Sequence, residues 1–144
     1  MPRTNGPADD IGFLLAKASA RYNEILTARF ADAGYPEVRA SYGSVLVPLF
    51  EQDGRRLGEL AAASRLSKQT MTGLVASCES DGLVERERDS SDGRAFVVRL
   101  SPRGKRFKRT AQGELDRLDR LLRDRIGPND RDALVRALKG VMQL

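Results

Sequence analysis

The residues of this chain whose types and spacing suit recognition chemistry are short hydrogen-bonding side chains at helical intervals. A helix is predicted from Ser67 to about Asp81. Met71, Leu74, Val75 and Cys78 fall within about a third of its circumference. Gln69, Thr72, Gly73, Ala76 and Ser77 fall on the other side. A glutamine there can pair with both hydrogen-bonding atoms of an adenine edge, a threonine can meet a base or a thymine methyl, and a glycine lets a helix backbone lie close to DNA. Ser67, Lys68 and Thr70, at the helix start, suit phosphates, and Ser67 is also a fitting N-cap. A major groove about 12 Å wide accepts one such helix. Taken alone, a face of Ser, Thr and Gln reads first as a solvated one, so the surrounding elements must decide.

Other chemistries are short of reagents. The 144 residues contain no histidine and one cysteine, Cys78, so the Cys and His sets that hold structural zinc are unavailable, as is an internal disulfide. The commonest general acid and base is missing too, and no two carboxylates stand out as a pair. The expectation is a protein that is not an enzyme, without metal or cofactor. Cys78 lies on the inward stripe, where a buried inert thiol is expected in place of an oxidant sensor. Net charge is +5, with the excess in the middle of the chain. Residues 51–110 hold thirteen basic and nine acidic side chains, whereas residues 1–50 hold five of each. A local cationic excess suits a polyanionic partner. No apolar run reaches the length of a membrane span, and Met1 to Asp10 is polar with an acidic pair, unlike a secretory signal. A cytoplasmic protein with no membrane association is therefore expected.

The elements that position Gln69 follow from periodicity. Ile11, Leu14, Leu15, Ala18, Tyr22, Ile25, Leu26 and Phe30 mark a first helix capped by Asp9 or Asp10. After Gly34-Tyr35-Pro36, the residues Tyr42, Val45, Leu46, Leu49 and Phe50 mark a second, in which Pro48 predicts a kink or an irregular last turn. A short helix from Gly58 to Ser64 precedes the one at Ser67, and the pair reads as helix-turn-helix. Leu83 to Arg88 and Ala95 to Leu100 read as a hairpin around Asp89 to Arg94, with Phe96, Val98 and Leu100 inward and Arg99 wet. Ser101 and Pro102 open a long helix whose stripe of Phe107, Ala111, Leu115, Leu118 and Leu122 runs to Gly127-Pro128. A capping box of Asn129 and Asp132 is predicted to start a last helix with Leu134, Ala137, Leu138, Val141 and Met142 on one face.

This order, with the GELAAASRLSKQTMT stretch, the Asp81-Gly82-Leu83-Val84 close, Asp92 and Arg94 in the hairpin, and Leu100, Ser101 and Gly104 opening the long helix, resembles the MarR family of bacterial transcriptional regulators. The resemblance spans essentially the whole chain and is most specific over residues 57–104. It implies a mainly α (α+β) fold, a winged helix-turn-helix with N- and C-terminal dimerisation helices. Residues 37–100 would form the DNA-binding region, and residues 1–36 and 101–144 the helical dimerisation region, within a single domain. It implies that Arg94 enters the minor groove and that Asp92 orients it. Arg86 either braces the hairpin or meets a phosphate. Relatives often carry arginine where Gly73 stands, which leaves more of the base reading to Gln69. The run Arg103, Lys105, Arg106, Lys108 and Arg109 suits either phosphates or a wet helix face.

The expected function is a ligand-responsive repressor, binding double-stranded DNA as a homodimer on a pseudo-palindromic operator. The alternative is a winged helix that binds protein or RNA without base contacts. Resemblance further implies a small-molecule effector, of unknown identity, near Tyr22 and Tyr42.

Overall fold

The computed structural model describes residues 6–144; residues 1–5, the start of the segment assigned to dimerisation, lie outside it. Helix α1 (Ile11–Asp32) starts where the Asp10 carboxylate accepts the Phe13 N–H at 3.2 Å, the predicted cap. It stops at Gly34, whose φ of 100° continues no helix. A single turn at Ala40–Tyr42 leads into α2 (Gly43–Glu51), which buries Val45, Leu46, Pro48 and Leu49. Pro48 has no N–H to offer the carbonyl of Ser44, one turn back. The hydroxyl of Ser64 takes its place, donating to that carbonyl at 2.5 Å, so a defect in α2 becomes a tie to the next helix.

Residues Arg55–Arg56 form a strand, β1, that the sequence pattern did not show. It is followed by α3 (Leu57–Ala63) and α4 (Lys68–Ser80), then by β2 (Val84–Arg88) and β3 (Phe96–Leu100). The sheet is antiparallel in the order β1-β3-β2, with Arg55 opposite Val98 and Arg86 opposite the same residue from the other side. Two residues give no alternation to read, and Asp53-Gly54 before them looks like a turn. Val98 and Leu100 are buried as expected. Phe96 is corrected: it is 46% exposed, because it lies at the outer end of the hairpin, beyond the helices, and meets Arg88 instead.

Helix α5 (Pro102–Ile126) begins on Ser101, whose hydroxyl accepts the Gly104 N–H at 3.0 Å and donates to the Gly82 carbonyl at 2.5 Å. Its Phe107 packs edge-on against Phe30 and Tyr35, with both ring centroids 4.9 Å away. That cluster joins α1 and α5 to one core with Tyr42, Leu49, Leu60, Met71, Val75 and Val98. Glu114 is also buried on α5 and is paired with Arg117 at 2.8 Å and Arg29 at 3.5 Å. Helix α6 (Pro128–Val141) corrects the predicted capping box. Gly127, at φ 89°, precedes it and Pro128 is its first residue, so Asn129 is already inside the helix and no side chain caps it. None of its residues is buried. Leu134, Leu138, Val141 and Met142 are exposed, as are Ile11 and Leu14 on α1.

Candidate nucleic-acid interface

The turn between α3 and α4 is set by backbone bonds that close the end of α3. Leu66 N–H reaches the Ala61 carbonyl at 3.0 Å and Arg65 N–H the Ala62 carbonyl at 3.3 Å. Arg65 takes the left-handed conformation this requires, with φ 54°, and its guanidinium donates to the Met142 carbonyl after α6. Ser67 then caps α4: its hydroxyl oxygen accepts the Thr70 N–H at 3.1 Å and its O–H donates to the Thr70 hydroxyl at 3.0 Å. Two of the predicted phosphate ligands are thus engaged in forming the helix start. Both remain exposed, and the first turn still presents unpaired backbone donors to an anion.

Beyond the cap, Met71, Val75 and Cys78 are buried and hold α4 on the core. Lys68, Gln69, Thr72 and Gly73 are exposed on the opposite face. Thr72 donates its hydroxyl to the Lys68 carbonyl at 2.7 Å, which fixes the rotamer and leaves its lone pairs for a further donor. Gln69 has no side-chain partner among the described residues. A Cβ added at Gly73 would meet nothing within 4 Å, so this part of the helix surface is open to a close neighbour. Burial also pushes the Cys78 thiol up to about 12, which removes the reactive thiolate at ordinary pH.

The hairpin is held as a rigid loop, by contacts the sequence did not reveal. Asp89 accepts the N–H of Ser91 at 2.9 Å and its hydroxyl at 2.8 Å, and pairs with Arg56 of β1. Those Ser91 bonds first, and Arg56 after them, hold the Asp89 carboxyl down at about 2. Arg88 donates to the Gly93 carbonyl at 3.0 Å. The Asp92 carboxylate accepts the main-chain N–H of Arg94 at 3.0 Å. Asp92 thereby fixes the backbone from which Arg94 projects, while the Arg94 guanidinium has no protein partner among the described residues. Arg86 pairs with Glu79 of α4 at 3.3 Å, which braces the hairpin against that helix.

The basic run at the start of α5 divides. Arg103 pairs with Glu37, donates to the Gly34 carbonyl and lies 4.6 Å from the Tyr35 ring centroid, so it ties α5 to the loop after α1. Lys105, Arg106, Lys108 and Arg109 have no ion pair among the described residues. A mostly apolar cavity of about 80 Å³ lies between α1, α2 and α5, with Leu26, Phe30, Leu46, Phe107 and Arg39 in its wall. Neither tyrosine expected near an effector lines it. Tyr42 is buried against Asp81, and Tyr22 stands near Asp119 and Arg131, where burial raises its phenol.

The MarR family sequence profile matches residues 50–95, the span from the end of α2 through the hairpin loop. Over 123 residues the chain is 28% identical to the HTH-type transcriptional repressor YetL of Bacillus subtilis, covering 83% of this chain and 71% of that one. The fold is similar to that of the transcriptional repressor CouR bound to a 23-mer DNA duplex, with TM-score 0.82, 23% identity and 99% of each chain covered. It is also similar to BpsR of Bordetella bronchiseptica, whose DNA binding is regulated by 6-hydroxynicotinic acid, with TM-score 0.80, 20% identity and 99% of each chain covered.

Proposed function

We propose that the chain is a MarR-family regulator, a sequence-specific repressor that binds duplex DNA as a homodimer and responds to a small molecule. The observation that carries this reading is the pairing of two elements with free ends. Helix α4 turns a face of Gln69, Thr72 and Gly73 outward, and the braced hairpin beside it projects the unpartnered Arg94 guanidinium. Gln69 reads base edges in the major groove, Lys68 and the first turn of α4 take phosphates, and Arg94 enters the minor groove. In this reading Arg86 serves mainly to hold the hairpin at a fixed angle to α4.

Dimerisation accounts for the apolar surface left uncovered. Helix α6 has no buried residue, and its exposed Leu134 and Leu138, with Ile11 and Leu14 of α1, are apolar surface that a second copy would cover. Residues 1–36 and 101–144 form the dimer, and residues 37–100 read DNA. A two-fold dimer then requires a pseudo-palindromic operator with half-sites on successive turns. The effector, by analogy with the regulation of BpsR, belongs in the cavity between α1, α2 and α5. No catalysis is part of this role.

Duplexes enriched from a random pool test the proposal. Expected are a two-fold symmetric consensus, binding that weakens steeply with salt, and a dimer in sedimentation at micromolar concentration. Equal affinity for all duplexes, or preference for RNA, would transfer the chain to the class of winged helices that do not read bases. A stable folded monomer would remove the two-fold operator.

A further inference from the structure

Arg65, in the turn between α3 and α4, is the one described residue other than glycine with a positive φ, 54°. Glycine or asparagine holds this left-handed backbone with less strain, so the turn by itself does not call for an arginine. The side chain has a use of its own. It crosses to α6, where its guanidinium donates to the Met142 carbonyl. Met142 is the C-cap residue of α6, and the carbonyls of a helix's last turn lack an intrahelical N–H to accept. A cation there also meets the negative end of the helix dipole. Among the described residues Arg65 makes no ion pair, so no carboxylate draws it away.

Helix α6 is held by its ends. None of its residues is buried, so no core contact fixes its angle. Near its start, Arg131 bonds Asp119 of α5 at 2.7 Å, and Asp119 also takes Arg123 at 2.8 Å. At its far end stands Arg65. That residue is fixed in the reading head, because its N–H and that of Leu66 close α3 and Ser67, two residues on, caps α4. About 16 Å of helix separates residues 131 and 142, so a tilt of about 12° moves one end against the other by about 3.4 Å, the rise of one base pair. The exposed Leu134, Leu138, Val141 and Met142, the apolar side chains of α6 and its C-cap, move with that tilt.

We propose that Arg65 is a positioning residue that pins α6 to the helix-turn-helix turn, fixes the angle between the reading helix and the face offered to a second copy, and so selects the half-site spacing of the operator. The proposal rests on the dimeric, DNA-reading role above and deepens it. Base contacts choose the letters of each half-site, and Arg65 chooses the distance between them. Half-sites on successive turns lie about 34–36 Å apart, and one added base pair shifts a half-site by about 3.4 Å and turns it by about 35°. A pinned head resists that change. A released head takes up the shift, and discrimination between spacings narrows. Arg65 itself touches no DNA in this role.

Two measurements test the pin. Ser90→Cys puts a spin label on the exposed hairpin tip, while the buried Cys78 takes none, and pulsed electron spin resonance then reads the distance between the two hairpins without DNA. A narrow distribution is expected for the parent. A clearly broader one is expected for Arg65→Gly, which suits the left-handed backbone, and for Arg65→Gln, which serves if the glycine variant does not fold. Arg65→Lys, still able to donate to the carbonyl, should restore much of the sharpness. In duplex titrations the parent should bind operators with one base pair added or removed between half-sites roughly tenfold or more weakly than the selected operator, and Arg65→Gly less than about threefold more weakly. A single half-site should bind both proteins alike, with the same salt slope, because no phosphate contact is lost. The proposal is overturned if either the distance distribution or the spacing preference is unchanged in the variants, if half-site affinity or the salt slope falls, which would make Arg65 a phosphate ligand, or if Arg65→Gly is a monomer. A parent with no distance between hairpins would sink the proposed dimer and this inference with it. A parent that binds all duplexes alike would sink base reading only, and the hairpin distances would still judge the pin.

Discussion

Gly104→Ala tests how closely the hairpin is seated on α5. A Cβ at this buried position would lie 2.0 Å from the Leu83 carbonyl oxygen and 3.4 Å from the Leu100 side chain. Relief needs a shift of about 1 Å before the contact is even tolerable. The Leu83 carbonyl is not free to give way, because it accepts the Ser101 N–H at 3.0 Å and Ser101 itself caps α5. Overpacking of this kind costs roughly 1–3 kcal/mol. Loosening one buried hydrogen bond adds about 1 kcal/mol. The better helix propensity of alanine offsets at most about 1 kcal/mol, which leaves a net loss of about 1–3 kcal/mol. Gly73→Ala makes the same chemical change where nothing lies within 4 Å, so there the propensity gain of roughly 0.5–1 kcal/mol stands unopposed. Urea unfolding at one fixed protein concentration compares them, since the proposed self-association would make stability depend on concentration. The midpoint should fall for Gly104→Ala and rise for Gly73→Ala, with unchanged slopes. A Gly104→Ala protein as stable as the wild type would refute the close approach of α5 to Leu83.

Four further outcomes are expected. Arg94→Ala should bind most duplexes more weakly, A·T-rich ones most of all, and should flatten the slope of log affinity against log salt by about 0.9 for each phosphate equivalent lost, and by twice that for the proposed dimer. An unaltered slope and affinity would take the hairpin out of the DNA interface. Gln69→Ala should cost about 1–3 kcal/mol on the best operator, much less on one already changed at the contacted base, and leave the salt slope in place; a uniform loss on all sequences would argue against base reading. The Asp89 carboxyl should titrate at about 2 in place of 3.8, so the stability it lends the hairpin is present above 3.8 and lost as pH falls from there toward about 2. An NMR titration of Asp89 with an ordinary midpoint would contradict its bonds to Ser91 and Arg56. Cys78, with its thiol pushed up to about 12, should resist alkylation at neutral pH in the folded protein and react once urea exposes it; rapid labelling of the folded protein would show that it is not held in the core.

By itself the sequence determined whatever depends on local periodicity and capping. The stripe of Met71, Val75 and Cys78 set which face of α4 is buried, and so which face carries Gln69, because both follow from 3.6 residues per turn. Asp10, Ser67 and Ser101 were legible as caps for the same reason: each bonds an N–H only three residues ahead. Gly104 was visible as part of a motif, but only the packed structure shows the Leu83 carbonyl that demands it. Tertiary structure alone decided the contacts between residues far apart in sequence. Arg56 with Asp89, Arg103 with Glu37, and Arg39 with Asp81 through Tyr42 join distant segments. A charged side chain reads alike in sequence whether it meets solvent, phosphate or a distant carboxylate. The strand Arg55–Arg56 is too short to have a period, and exists because β3 offers it an edge. Asn129 lost the cap to Gly127, whose left-handed backbone turns the chain from α5 into α6. Chain order can announce an element, but the partner that captures each charge depends on which surfaces the fold brings together.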